Sequence, residues 1–408
     1  MKFAVRRQDI TPWRPCWQGG YAQRTGYFNE VHDNITATAF SIENCGKKMY
    51  WTTMDVAGID KDLADAVIRR ANEIGVNITI NDVVMASTHT HSGPLLSKDR
   101  YGREIDTEYY EFVVETVAQM IKELSEDDGR EVTVKYSNTL IDGLYSNRND
   151  KNKFSDKYTH MLGFFDGDKL LAIYHMMAHH CTILGPNFTD LSADLFGKLR
   201  DIIEEHYGCP VFMVQSNAGD MGNKQYRTSN LYDAVEAQAA NVFDQEQKKG
   251  TPWKELNINE FTVTEHAYHV TYDVNVAPLF EKKAAFEKQL ETEKDFDTIK
   301  LLVTGIKSFE RKIEAGDQHV DMDMPYRIMN MGDLQIVVVP GELGSVLGQR
   351  IKDASKAKVC LVWAYVNPQN LGYMIEKEAY EGFSQEANVT NFPAGITDLY
   401  IEDIIKNL

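Results

Sequence analysis

Residues 83–94, VVMASTHTHSGP, constrain this chain more than any other stretch. The short apolar run reads as a buried strand, and it stops at two histidines spaced i, i+2 before a Ser-Gly-Pro turn. A strand projects residues i and i+2 to one face, so His89 and His91 are expected to look into one pocket while Ser92, Gly93 and Pro94 carry the backbone away. Imidazole is also at home at a strand end as a neutral donor and acceptor, so the motif alone leaves a structural role open. Of the 11 histidines, His89, His91, His175, His179 and His180 fall in two short segments, each an apolar run ending in histidine. Two such endings could meet at one metal. Alternation lets only one of His179 and His180 face a given side.

Composition narrows the partners. The chain has 408 residues, 43% hydrophobic and 25% charged, which suits one large globular domain or two intimate ones. A formal charge of −18 argues against a nucleic-acid footprint or an anionic membrane surface as partner. No apolar stretch reaches 18 residues, and MKFAVRRQDIT carries neither an apolar signal core nor a small-residue cleavage site, so a cytoplasmic location is expected. Five scattered cysteines without a Cys-x-x-Cys pair fit a reducing compartment; Cys181, beside His180, reads as a buried spectator.

Strand-like and helix-like segments alternate along the chain. Residues 3–11 open as a strand and lead into an aromatic, glycine-rich loop, 13–27, with Gly19, Gly20, Tyr21 and Arg24 at its centre. The pattern predicts hairpins over 35–42 and 48–57, over 160–180 with Asp166-Gly167-Asp168 as the turn, and over 324–340 with Met331-Gly332-Asp333 as the turn. Amphipathic helices are predicted over 61–74, 106–124, 191–208 and 231–248, and another closes the chain over 397–407. Residues 131–144 return as a strand ending in Ser146, Asn147, Arg148 and Asn149, where polar groups serve either a turn or a substrate. Residues 210–223 and 334–342 repeat the design of the opening motif: an apolar strand, then a glycine-bearing polar loop, the second running straight into Glu342. Residues 255–276 are strand-like, with His266 and His269 on opposite faces in structural roles. Residues 279–315, proline-free and patterned with Glu and Lys, read as a helical pair broken near Gly305 and suited to an accessory or dimerisation arm. No internal repeat is visible.

Taken in order, these motifs make the chain resemble the catalytic domain of the neutral, non-lysosomal ceramidase family. The likeness runs through DIT and GGYAQR near the start, STHTHSGP, SNRN, HHCTIL with SADLFG, QSNAGDMGN, VPGE, and GY with YEGFS, over nearly the whole length. The resemblance implies an α/β fold of mixed β-sheets covered by helices, with no C-terminal immunoglobulin-like domain here. It also implies one zinc ion per chain, held by His89, His180, Glu342 and Tyr373. His91 would face a developing oxyanion and Arg148 the substrate or tetrahedral intermediate, with Tyr373 counted among the catalytic groups. Substrate contacts would come from Gly20, Tyr21 and Arg24, from Asn217 and Asp220 in the NAGD loop, and from Tyr380 in YEG.

The chemistry agrees with that ligand set. Two imidazoles and a carboxylate around an open position form a hydrolytic zinc pattern that lowers the pKa of bound water to about 7. Attack of the activated water on a carbonyl is the expected reaction, with Glu342, His91 and Tyr373 all open as general base. Asp194 either orients a ligand or caps its helix. Gly222 stands where the family carries a serine, and YEG lies closer to Gly372-Tyr373 than in the family. With no secretion signal and no apolar docking segment, a small soluble N-acyl compound, ester or lactone is expected rather than membrane ceramide. The remaining readings are a non-catalytic metal- or ligand-binding homologue, and a two-metal barrel amidohydrolase with His-Thr-His on its first strand. A homo-oligomer is compatible with all of these.

Overall fold

Three times along the chain, an apolar hairpin is followed by an amphipathic helix and a strand that returns parallel to the hairpin's second arm. The first unit comprises Thr36–Asn44, Lys47–Met54, the helix Lys61–Glu73 and Val83–Ser87. The second comprises Tyr158–Asp166, Lys169–Met177, the helix Asp194–Tyr207 and Val211–Gln215. The third comprises Gln318–Met331, Leu334–Val338, the helix Ser345–Ala354 and Val359–Trp363. The returning strands are near-continuous apolar runs because both their faces are buried. This computed structural model describes residues 1–367 and 371–408; the rest of the NPQN connection, 368–370, lies outside the described residues.

Each unit is extended into its own sheet by further strands. Lys2–Asp9 joins the first, Thr133–Leu140 and Lys254–Leu256 the second, and Thr262–Val274 the third. Helices cover the outer faces in pairs: Thr107–Glu126 beside Lys61–Glu73, Tyr232–Lys249 beside Asp194–Tyr207, and Ile396–Asn407 beside Ser345–Ala354. The inner faces share one aromatic core, in which Phe3 stacks on Phe164 at 4.2 Å and Trp51 meets Trp363 edge-on at 5.4 Å. The fold is α/β with mixed sheets covered by helices, as expected. The sheets are open, so the eight-stranded barrel of the amidohydrolase reading is overturned.

The carboxyl ends of the three returning strands are stitched together. Ser87 donates its N–H to Tyr365 O at 3.1 Å, and Ala364 donates to Gln215 O at 3.2 Å. The buried Gln215 amide then donates to Thr88 O at 3.3 Å and to His179 O at 2.8 Å, so one side chain ties the first and second units beside the third. Asp194, with φ of +54°, is neither a side-chain cap nor a ligand orienter: its carboxylate accepts from Leu184 and Leu195 N–H and fixes the segment after His180.

The helical pair differs from expectation. It breaks between Ala277–Leu290 and Phe296–Ala315, where Asp295 caps the second helix through Thr298 N–H, and not at Gly305. Gly305 sits inside the second helix because a Cβ there would lie 2.7 Å from the Phe286 ring. Among the described residues no helix is long and apolar enough to cross a membrane.

A buried histidine in the second sheet sets an acid limit on stability. Burial, reinforced by the Lys352 charge and opposed by Asp156, pushes His160 down to about 3. An unfolded histidine titrates near 6.5, so this contribution is complete above that pH and is lost as pH falls toward the folded value. Unfolding free energy from urea titrations should fall by about 2 kcal/mol more in wild type than in His160→Gln between pH 7 and pH 5. Parallel pH dependence in the two proteins would contradict this.

Candidate metal centre

Each unit delivers one donor segment to a single point. In the first, the strand ends at Ser87, and His89 turns the chain in the left-handed region at φ +64°. The His-Thr-His motif is therefore a loop, and its two rings converge by this turn rather than by strand alternation. The Ala57 carbonyl, just past the neighbouring strand, lies 2.5 Å from His89 Nδ1. Gly20 lies so close to the His91 ring that a Cβ would come within 2.3 Å of Cγ, and its φ of +86° also favours glycine. In the second unit His180 lies three residues past its strand, with Nδ1 3.3 Å from both Ala218 O and the Tyr365 hydroxyl. In the third, Glu342 pairs in parallel with Tyr373, and the NAGD loop packs on its backbone, since a Cβ on Gly219 would be 2.5 Å from Glu342 O.

The donor atoms face one another. His89 Nε2 lies 3.1 Å from the Nε2 atoms of both His91 and His180, and Glu342 Oε2 lies 3.5 Å from His89 Nε2 and 3.8 Å from His180 Nε2. The Tyr373 hydroxyl is 3.5 Å from His180 Nε2. Four ligands at zinc distances in a tetrahedron stand roughly 3.3 Å apart, so this spacing fits a metal. Hydrogen bonding fits it too. A carbonyl beside Nδ1 of both His89 and His180 favours the tautomer in which Nε2 presents a lone pair, and the buried Glu342 Oε2 has no hydrogen-bond partner among the described residues. Two lone pairs and a carboxylate oxygen aimed at one point repel unless a cation lies between them.

Burial keeps His91 and His180 neutral. Burial, then neighbouring positive charge, holds His180 and His91 well below the ordinary histidine value. Burial opposes ionisation of Glu342, but His89, Arg100 and the Tyr373 hydroxyl outweigh it and hold the carboxyl below its usual range. Tyr373 is raised by burial and then by Glu342.

Arg148 completes the cluster. Its Nε donates to Glu386 at 2.6 Å and its Nη2 to the Tyr373 hydroxyl at 3.1 Å. Gly222 lies against it with room to spare, since a Cβ would meet Arg148 at 3.7 Å; packing does not exclude a serine there. In front of the donors opens a cavity of about 710 Å³, walled by Gly20, His89, His91, Glu342 and Tyr373, by the 95–101 loop, and by Thr304 and Arg311 of the Phe296–Ala315 helix. That helix therefore forms a wall of the site.

Other expected substrate contacts are turned away from this cavity. Tyr21 donates to Leu184 O at 2.6 Å with its ring edge on His91, and Arg24 donates to His91 O at 3.1 Å and Ser92 Oγ at 3.3 Å, so both brace the histidine loop. Asn217 donates to Ser345 O at 3.2 Å. Asp220, which burial pushes up to about 7, accepts from Asn147 and Ser345. Tyr380 donates to Phe392 O at 2.8 Å. Of the expected substrate contacts only Gly20 lines the cavity. His179 turns to Gln238 and His175 to Glu246, each at 2.8 Å. Sequence reasoning missed Glu386, Tyr365, Gln215 and Arg100, the last 3.7 Å from Glu342 Oε1; SKDRYGR gives no sign beyond a solvated charge run.

No protein-family model matches the sequence, and no curated protein matches it. Solved structures do match. The crystal structure of neutral ceramidase from Pseudomonas aeruginosa superposes with a TM-score of 0.76 at 16% identity, over 99% of this chain and 73% of that one. A ceramidase complexed with C2 superposes at 0.74 and 15% identity, over 99% of this chain and 74% of that one. At these identities the likeness establishes the fold: the chain has the ceramidase fold.

Proposed function

On this ceramidase-fold scaffold, we propose that the chain is a zinc-dependent hydrolase that cleaves an amide, ester or lactone bond in a small soluble substrate. The observation that carries the proposal is the convergence of His89 and His180 Nε2 with Glu342 Oε2, the imidazoles locked with lone pairs inward. His89, His180, Glu342 and Tyr373 would hold the metal. Zinc in such a set lowers the pKa of a water to about 7 and polarises a carbonyl.

The chain's own groups do the rest. Neutral His91, with Nε2 beside the donors, is placed to give a hydrogen bond to an oxyanion that develops on the substrate. Arg148 holds the Tyr373 oxygen while Glu386 fixes the guanidinium, so the phenol keeps one orientation. Buried Arg24 and Tyr21 keep His91 from rotating away. A small polar substrate is supported by the number of charged and polar side chains around the cavity, among them Lys98, Arg100 and Arg311.

Elemental analysis should find about one zinc per chain, and a panel of N-acyl amides, esters and lactones should include a substrate whose hydrolysis stops on chelation and returns with zinc. A folded protein that binds zinc but turns over nothing in the panel would favour the non-catalytic homologue. No zinc at all would remove the proposal.

A further inference from the structure

The cavity before the metal centre has uncommitted positive charge. Of its four carboxylates, Asp60 accepts from the N–H groups of Leu63 at 2.9 Å and Lys98 at 2.7 Å, and Asp99 takes Arg103 through two bonds of 2.7 and 2.9 Å. Glu342 turns Oε2 to the imidazoles, and Asp62 stays on the exposed first turn of its helix. Among its cations, Lys61 pairs with Asp65, and Arg100 has one long contact with Glu342, a carboxylate it shares with the imidazoles. Among the described residues Arg311 donates only to Asn391 Oδ1, at 3.3 Å, and meets no carboxylate, while Arg100 approaches only Glu342 Oε1. Adjacent Lys312 is held down to about 8 by burial and then by the charges of Arg311, Lys282 and Arg100, so like charges crowd this wall. In a chain of net charge −18 such a wall runs against the overall balance. Guanidinium pairs suit planar carboxylates.

We propose that Arg100 and Arg311 bind a carboxylate of the substrate, and that the substrate is an N-acylated amino acid. This rests on the hydrolase reading above. Arg100 reaches within 3.7 Å of Glu342 Oε1, so an anion held there lies next to the reacting carbonyl, and in an N-acyl amino acid the carboxylate is two bonds from the scissile nitrogen. In the reaction the oxygen of water bonds to the carbonyl carbon, the C–N bond breaks, and a proton passes to the leaving amine, giving a carboxylate and a free amino acid.

Two measurements test this separately from turnover. Calorimetric titration of the metal-free protein should show binding of N-acetylglycine, none of N-acetylglycinamide, and loss of the former in Arg311→Gln. With zinc, N-acyl amino acids should exceed their matched amides about tenfold or more in kcat/KM. Arg311→Gln should raise KM for the charged substrates roughly 10- to 100-fold with a much smaller change in kcat, and Arg311→Lys should recover part of the loss. Equal binding of acid and amide, or an unchanged KM in Arg311→Gln, overturns the inference. Selective binding without turnover of any substrate would leave the anion site standing and remove the hydrolase reading; turnover without selectivity would do the reverse.

Discussion

His180→Ala is expected to reduce bound zinc from about one per chain to near zero and to lower hydrolysis by about 10³-fold or more, the usual size of losing a metal and its electrostatic stabilisation. His180 supplies the second unit's only donor, and its Nε2 lies 3.1 Å from that of His89. Removing it leaves His89, Glu342 and a phenol raised by burial. The variant needs a folding control, because His180 is 1% exposed and truncation opens space in a packed interior. Near-ultraviolet circular dichroism and the unfolding midpoint of the metal-free forms supply it. Wild-type zinc content in a folded His180→Ala protein would show that the donors used are others.

Arg200→Ala should cost about 3–5 kcal/mol of unfolding free energy by chemical denaturation, the cost of breaking a buried ion pair. Arg200, on the helix of the second unit, places Nη1 2.6 Å from Asp55 Oδ2 and 2.9 Å from Thr36 Oγ1, with both charged side chains almost wholly buried. Truncating the arginine strands the Asp55 carboxylate, which is left with Thr36 N–H and hydroxyl. Asp55 is two residues before Ala57, whose carbonyl fixes His89, so the same variant should bind zinc more weakly. A change under about 1 kcal/mol would mean that the pair is solvated in practice.

The strands that lead to the donors were readable because each is an apolar run closed by a turn: His89 follows a returning strand, and His180 and Glu342 follow the second arms of their hairpins. Local pattern could say that His89, His180 and Glu342 end buried runs. It could not say which strands lie side by side, since parallel pairing joins segments separated by a helix. For that reason three units of one topology went unseen: they share a path, not a sequence. The left-handed turn at His89 carries no signature in its residue type, which is why a strand was expected through the motif. Tyr21, Arg24, Asn217 and Asp220 sit in loops that do shape the site, but their polar groups are engaged by backbone and neighbouring side chains behind it. Arg100 and Glu386 come from segments without a motif, and only tertiary packing sets Arg100 at the cavity and buries Glu386 beside Arg148. At 279–315 the glycine drew attention as a breaker, whereas the break follows the Asp295 cap and the glycine serves a close helix crossing.

On the zinc ligation proposed above, the stitched junction of the three sheets would make metal capture a checkpoint on folding. His89 belongs to the first unit, His180 to the second, and Glu342 with Tyr373 to the third. A chain with only two units docked offers an incomplete donor set and holds zinc weakly. Retention of the proposed ion would thus certify that all three have assembled in register, and a stalled or misassembled chain would be marked by its failure to keep metal.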